Sequence, residues 1–400
     1  MIKRELYMSR IRPFIGTELI KVMTGIRRCG KSVMLELIQQ ELAESGVSRA
    51  QFISINFEDM GYSHLQTAQA LHDEITKRAK EIGGKVYLFF DEIQEVKGWE
   101  KTVNSLLEGA DVDIYVTGSN SKLMSSEIST YLTGRYVSIP VYPLSFREFL
   151  DFKAGDPRPP KELLEDFIRF GGFPIIALGR YDTQSAYQIV NGIYHTVVSR
   201  DIVKRHRINK QDLFDRVVKF IIENMGKTFS ANSISTFLKS ELRKVSVESI
   251  YNYLRWLEQA FIIYPCERYD LHGESILKTQ EKYYLADVSL KYALLGYNRK
   301  MLDGAMENIV FLELKRRGYD VYIGKNDTKE IDFVATRRDE RIYVQVCVQL
   351  PEGSDREVGN LMEIKDHYPK YVVTLNDMDV GIENGIKIVH LQDFLLADTW

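Results

Sequence analysis

The stretch LIKVMTGIRRCGKS, residues 19–32, decides the fold. Its apolar run stops at Gly25, a short loop follows, and from Ser32 onward the pattern turns helical. Val33, Leu35, Leu37, Ile38 and Leu42 recur through Glu44 at the spacing of an amphipathic helix. Working outward, three more apolar runs appear: QFISINFE (51–58), VYLFFDE (86–92) and VDIYVTGS (112–119), each separated from the next by a helical pattern. Continuous apolar strands alternating with helices predict a parallel sheet covered on both faces, an α/β fold.

Gly25-Ile26-Arg27-Arg28-Cys29-Gly30-Lys31-Ser32 satisfies G-x-x-x-x-G-K-[ST], and it does so between a strand and a helix, the context the motif requires. Two glycines let the backbone turn tightly enough for successive N–H groups to face a phosphate. The helix that follows adds the positive end of its dipole. Lys31 brings a point charge to the β/γ oxygens of ATP, and the Ser32 hydroxyl is a ligand for Mg²⁺. The expected nucleotide-binding set is Gly25, Arg28, Cys29, Gly30, Lys31, Ser32 and Val33. Arg27 and Arg28 could touch phosphate oxygens or make ordinary ion pairs. A hydrolytic site also needs acids at the tip of a neighbouring strand, and Val86–Phe90 ends in Asp91 and Glu92. Asp91 is expected to hold Mg²⁺ through water, and Glu92 to orient and polarise the attacking water. The next run ends in Gly118-Ser119-Asn120, where Asn120 or Ser119 could sense the γ-phosphate or simply cap a helix.

The bulk numbers agree. At 400 residues the chain exceeds one ordinary core. A net charge of −3 excludes a polycation that coats nucleic acid along its whole length. The three cysteines, Cys29, Cys266 and Cys347, have neither metal-ligand spacing nor a disulfide pattern. MIKRELYMSRIRPF lacks the apolar centre of a signal peptide, and no apolar run approaches the ~20 residues of a membrane span. The expectation is a cytoplasmic protein with no membrane partner.

At GDPRPP (155–160) the texture breaks. Helical patterns follow at 161–170, 183–206, 211–225, 230–241 and 246–259, then β-like segments at 261–269 and 281–285. Three short helices and a ribbon over 211–287 read as a winged helix. From residue 303 a helix, three strands, a helix and a strand make a further α/β unit. The expected organisation is 1–155 nucleotide-binding core, 156–210 helical lid, 211–300 winged helix and 301–400 C-terminal domain. Arg200, Lys204, Arg205, Arg207, Lys210, Lys239, Arg243 and Lys244 outnumber Asp201, Asp212, Asp215 and Glu241, a local basic patch suited to DNA phosphates. The same helices could instead serve packing or protein contact.

With GIRRCGKS, FFDEIQ, TGSNS, LTGRY (132–136), PLSFREF (143–149) and GGFP (171–174), the chain resembles a widespread prokaryotic family that joins an AAA+-like P-loop ATPase module to a C-terminal domain. The resemblance runs from about residue 10 to the C-terminus. It implies that Arg135, after Thr133-Gly134, is an arginine finger reaching into a neighbouring subunit, hence a homo-oligomeric ring or partial ring. It also points to a PD-(D/E)xK nuclease fold for 301–400, whose helix and strand order agrees. Glu307 and Asp332 stand where two of its acids belong, but Gln345 and Cys347 replace the remaining acid and the lysine, so a degenerate, inactive nuclease is expected. The leading expectation is an oligomeric ATPase that hydrolyses ATP with Mg²⁺ and acts on DNA, including branched DNA. The alternatives are a nucleotide-controlled switch or scaffold working through protein contacts, and an ATP-regulated nuclease.

Overall fold

The computed structural model describes residues 1–124, 132, 134–208, 210–240, 245–351 and 356–400. The chain divides into two compact units, Met1–Val141 with 259–261, and Tyr142–Glu258 with Ile262–Trp400.

The first unit begins with α1 (Glu5–Ile11), then β1 (Ile20–Thr24), α2 (Lys31–Glu44), β2 (Phe52–Asn56), α3 (Ala68–Ile82), β3 (Val86–Asp91), α4 (Trp99–Gly109), β4 (Val112–Gly118) and β5 (Tyr136–Pro140). Its five strands are all parallel, in the order β2-β3-β4-β1-β5. β1 and β4 are buried along their whole length, as their unbroken apolar runs require. The exceptions neutralise each other: buried Lys21 pairs with buried Asp113, which also accepts bonds from Tyr115 Oη at 2.9 Å and Gly16 N–H at 2.8 Å. Because the strands are parallel and in register, Thr24 opposite Gly118 and Phe90 opposite Val116, the loops after β1, β3 and β4 open on one edge. That carboxyl edge is where open α/β sheets bind ligands.

The second unit contains α5 (Phe146–Phe152), α6 (Pro160–Phe170), α7 (Pro174–Leu178), α8 (Thr183–Thr196), α9 (Gln211–Glu223), α10 (Ala231–Ser240) and α11 (Val247–Gln259). After α8 the chain widens into a π-helical turn over Val197–Val203 before Lys204–His206. β6 (Ile263–Asp270), β7 (Ser275–Leu285), α12 (Ser289–Leu295), α13 (Leu302–Arg316), β8 (Asp320–Asn326), β9 (Lys329–Arg337), β10 (Glu340–Val346), α14 (Arg356–Met362), β11 (Lys370–Thr374), β12 (Gly381–Glu383), β13 (Ile386–His390) and α15 (Leu391–Leu396) complete it.

The expected boundaries at 155, 210 and 300 do not coincide with the division by contacts, for identifiable reasons. The ribbon β6–β7, read as the wing, joins β8 through Arg268 opposite Ile323 and so extends one eight-stranded sheet, β12-β13-β11-β10-β9-β8-β6-β7. PLSFREF lies in this unit and is stitched to GGFP: Leu144 N–H donates to Gly172 O at 2.7 Å, and Asp287 accepts from Gly172 N–H at 2.7 Å. A Cβ on Gly171, at φ +74°, would strike the Asp287 carboxylate at 1.7 Å. Arg316 of α13 donates to Pro143 O at 3.2 Å. Two of the motifs that carried the resemblance are thus structural staples of this unit.

Candidate functional site

The phosphate loop is built by backbone conformations its sequence permits. Gly25 has φ +154°, and a Cβ there would meet Val141 O at 2.0 Å, so only glycine fits. Gly30 is the N-cap of α2 with a left-handed backbone, φ 102° and ψ 20°, and no side chain caps the helix. Glycine at the N-cap supplies no side-chain acceptor to the first-turn N–H groups of α2. Lys31 Nζ donates to Gly25 O at 3.0 Å and Ile26 O at 3.2 Å, closing the loop on itself. Arg27 pairs with Glu58 at 2.7 Å, whereas Arg28 is exposed on a left-handed residue, φ 66°. Cys29 is buried beneath the loop, and the Val33 side chain is exposed on α2.

The acids arrive from β3. Thr117 of β4 donates its hydroxyl to Asp91 Oδ1 and accepts from Glu92 N–H at 3.0 Å, fixing both residues relative to β4. Burial raises the Asp91 pKa, opposed by hydrogen bonds from Thr117 and Ser32; Ser32 and Asp91, the two expected metal ligands, are therefore in contact. Glu92 sits in the left-handed region at φ 53°, ψ 49°, which aims its side chain across the loop. Its Oε1 lies 3.7 Å from Lys31 Nζ, and its Oε2 accepts from Ser119 Oγ at 3.0 Å, Ser119 N–H at 3.2 Å and Gln94 Nε2. Burial pushes the Glu92 carboxyl up, but Lys31, Gln94, Arg27 and Ser119 outweigh it and hold the pKa below the ordinary glutamate value. Asn120 is buried beside Ser119, its carbonyl accepting from Leu123 N–H at 3.2 Å.

Lys31, Ser32, Asp91, Glu92 and Ser119 thus meet at the loop, and Arg135 does not. Arg135 opens β5 at the opposite edge of the sheet, its carbonyl accepting from Ile20 N–H at 2.9 Å. A strand of this length spans ~15 Å, so Arg135 does not reach this chain's own loop. Its guanidinium lies 3.4 Å from exposed Glu108. Thr133, part of the TGR motif, lies outside the described residues, as do Glu241, Arg243 and Lys244 of the basic patch. Three site residues escaped the sequence reading. Thr117 and Gln94 were visible inside VDIYVTGS and FFDEIQ, but no spacing rule marks them. Arg4, whose Nη1 donates to Cys29 O at 2.8 Å, had no signal at all.

In the second unit, Asp332 accepts from Val346 N–H at 2.8 Å, and Gln345 links Asp332 N–H (3.0 Å) to Glu357 (2.7 Å). Lys282 of β7 enters the same cluster, 2.8 Å from Glu330 and 3.5 Å from Glu307. Burial works to lower the Lys282 pKa, yet Glu307, Asp332 and Glu330 overcome it and raise it. Burial raises the pKa values of Glu307 and Asp332. Among the described residues no group of three or more His, Cys, Asp or Glu has metal-holding geometry.

An uncharacterized protein of Haemophilus influenzae is 38% identical over 398 residues, covering 99% of this chain and 99% of its own length. The chain belongs to that protein's family. Members reach into the archaea: uncharacterized protein MJ1544 of Methanocaldococcus jannaschii is 32% identical over 378 residues, covering 90% of this chain and 82% of its own. Within this family chain, residues 17–150 match the model described as an AAA domain, and residues 161–300 match a domain of unknown function (DUF8612). That second model runs through both stretches read as lid and winged helix. Among solved structures, the Walker-type ATPase PABY2304 of Pyrococcus abyssi superposes with a TM-score of 0.51 at 15% identity, over 74% of this chain and 96% of its own, a likeness of fold. The AAA match takes in the whole P-loop parallel sheet of the first unit. No helix among the described residues is long and apolar enough to cross a membrane.

Proposed function

We propose that the AAA domain binds ATP with Mg²⁺ and hydrolyses it, that it does so as an oligomer, and that the turnover is coupled to DNA. One observation carries the reading: Lys31, the Ser32–Asp91 contact and the Glu92–Ser119 pair converge on one loop at the carboxyl edge of the sheet. The residues fit a nucleotide triphosphate. The uncapped first turn of α2 offers N–H donors to the β-phosphate, and Lys31 moves from Gly25 O and Ile26 O onto phosphate oxygens when they arrive. Ser32 and Asp91 would hold Mg²⁺, which would supply positive charge against the phosphate oxygens. Glu92, kept ionised by Lys31, is the group that orients the attacking water, and Ser119 fixes the carboxylate for that task.

The arginine-finger reading gains support from the position of Arg135. It stands at the far edge of the sheet, beyond reach of its own loop, so its contribution comes to a neighbouring copy. For DNA, the support is charge: Arg200, Lys204, Arg207 and Lys210 are exposed around and after the π-helical turn. α11 offers Ser249, Asn252 and Arg255, but Arg255 is engaged by Asn252 at 2.6 Å, so contacts go mainly to phosphates. The deciding experiment measures ATP hydrolysis with and without single-stranded, duplex and four-way-junction DNA. Turnover raised by any of these supports the proposal. Turnover indifferent to all of them moves the function to a nucleotide-controlled protein switch, and no turnover with Mg²⁺ removes the ATPase reading.

A further inference from the structure

We infer that Arg4 is a positioning residue of the nucleotide loop: it holds the Cys29 carbonyl outward so that the Gly30 N–H faces the β-phosphate. The inference rests on the nucleotide reading above. Arg4 lies 28 residues before the end of the motif at Ser32, in a segment that no motif includes, and the residue is 2% exposed. A buried, permanently charged side chain is costly unless its donors are used. Here Nη1 donates to Cys29 O at 2.8 Å, and the guanidinium stacks over the Tyr7 ring at 4.6 Å. Tyr7, Met8 and Ile11 are buried, which anchors α1 and fixes the direction from which Arg4 reaches the loop.

The consequence follows from peptide geometry. In a planar trans peptide the C=O and the following N–H point in opposite directions. Binding the Cys29 carbonyl on the Arg4 side therefore turns the Gly30 N–H to the other side of the loop. Gly30, left-handed at φ 102°, tolerates that orientation. Lys31 works on the loop from within, through Gly25 O and Ile26 O, while Arg4 fixes the Cys29 carbonyl, three residues further along, from outside. The loop is thus held open for phosphate by one cation that leaves when nucleotide binds and one that stays. Arg4 also adds a fixed positive charge behind the phosphate position, where Lys31 and Arg27 already lie buried.

The test combines two readouts on the full chain. Amide hydrogen exchange of the nucleotide-free protein reports the loop directly, and ADP titration reports its use. Arg4→Gln is expected to speed exchange at residues 27–33 at least tenfold, leave β3 and β4 amides unchanged, and weaken ADP roughly ten- to a hundredfold, the scale of a lost hydrogen bond to a charged group. Arg4→Lys, which keeps the charge but loses the planar fork, is expected to fall between the two. Should Arg4→Gln not fold, the same comparison on Arg4→Lys carries the test. Unchanged loop exchange, or faster exchange spread evenly over the unit, overturns the inference. ADP binding by wild type that is unaltered in Arg4→Gln overturns it alone, whereas wild type that binds no ADP takes the nucleotide reading with it.

Discussion

Glu92 is held by opposed forces, and that balance makes the site testable one residue at a time. Lys31→Ala removes the loop's internal clamp and its phosphate charge together, so nucleotide binding or turnover should be abolished in equilibrium titration and steady-state assays. Glu92→Gln keeps the shape and the Ser119 contact but cannot polarise water. It should bind ATP and hydrolyse it roughly 10²–10⁴-fold more slowly, the usual scale for a general base; normal turnover would remove Glu92 from that role. The same carboxylate makes a pH prediction. Its folded pKa is depressed because Lys31, Gln94, Arg27 and Ser119 outweigh burial, so its stabilisation is present above the ordinary value of 4.5 and fades as pH falls through the folded value. Melting curves of wild type and Glu92→Gln should therefore begin to approach one another as pH falls below about 4.5 and meet only below the folded value. At this scale the chemistry was legible wherever residue type and spacing are dictated by a phosphate, as at Gly25, Gly30, Lys31 and Ser32. It was not legible at Arg4 or Thr117, which act through geometry that only folding brings together.

Elements repeat that contrast. The helices at 160–170, 183–196 and 211–223 lie where apolar periodicity predicts them, because each buries one face and exposes the other. The pairing of β6 with β8 was invisible, since it joins Arg268 to Ile323 and periodicity carries no information about partners so far apart. That pairing brings β7 and Lys282 to the acid cluster below β9 and β10. There Lys282 neutralises Glu330 and Glu307. The Lys282 ammonium balances the charge of these acids, and Gln345 engages Glu357 and Asp332 through its amide. We therefore expect no Mg²⁺- or Mn²⁺-dependent DNA cleavage; nicking of supercoiled plasmid that disappears in Asp332→Ala would show the reverse. Lys282→Met should cost about 3 kcal/mol in denaturant unfolding, the low end for breaking a buried pair because Glu330 is partly exposed.

For the whole molecule, assembly and DNA are the two claims that no single element can make. Arg135 stands across the sheet from its own loop, so mixing Arg135→Ala with Lys31→Ala chains should restore part of the activity that each lacks, through one intact composite site. Wild-type turnover by Arg135→Ala, or by a dilute monomer, would end the trans model. The chain carries −3 overall, yet exposed Lys204, Arg207 and Lys210 gather within a few residues after the π-helical turn. Overall repulsion opposes DNA, so only a local patch can win, and a patch without base-reading side chains contacts phosphates regardless of sequence. Each such contact releases counterions and contributes a log–log salt slope of about −0.9. Replacing Lys204 and Lys210 together with alanine should flatten that slope by roughly two while leaving ATP affinity unchanged. Fluorescence anisotropy on unrelated duplex and junction sequences over a salt series measures both. Equal slopes for the variant and wild type would place the DNA contacts elsewhere on the chain. Absence of binding at low salt with an ATP analogue present would instead favour the protein-contact switch, because the basic patch would then have no anionic polymer to meet.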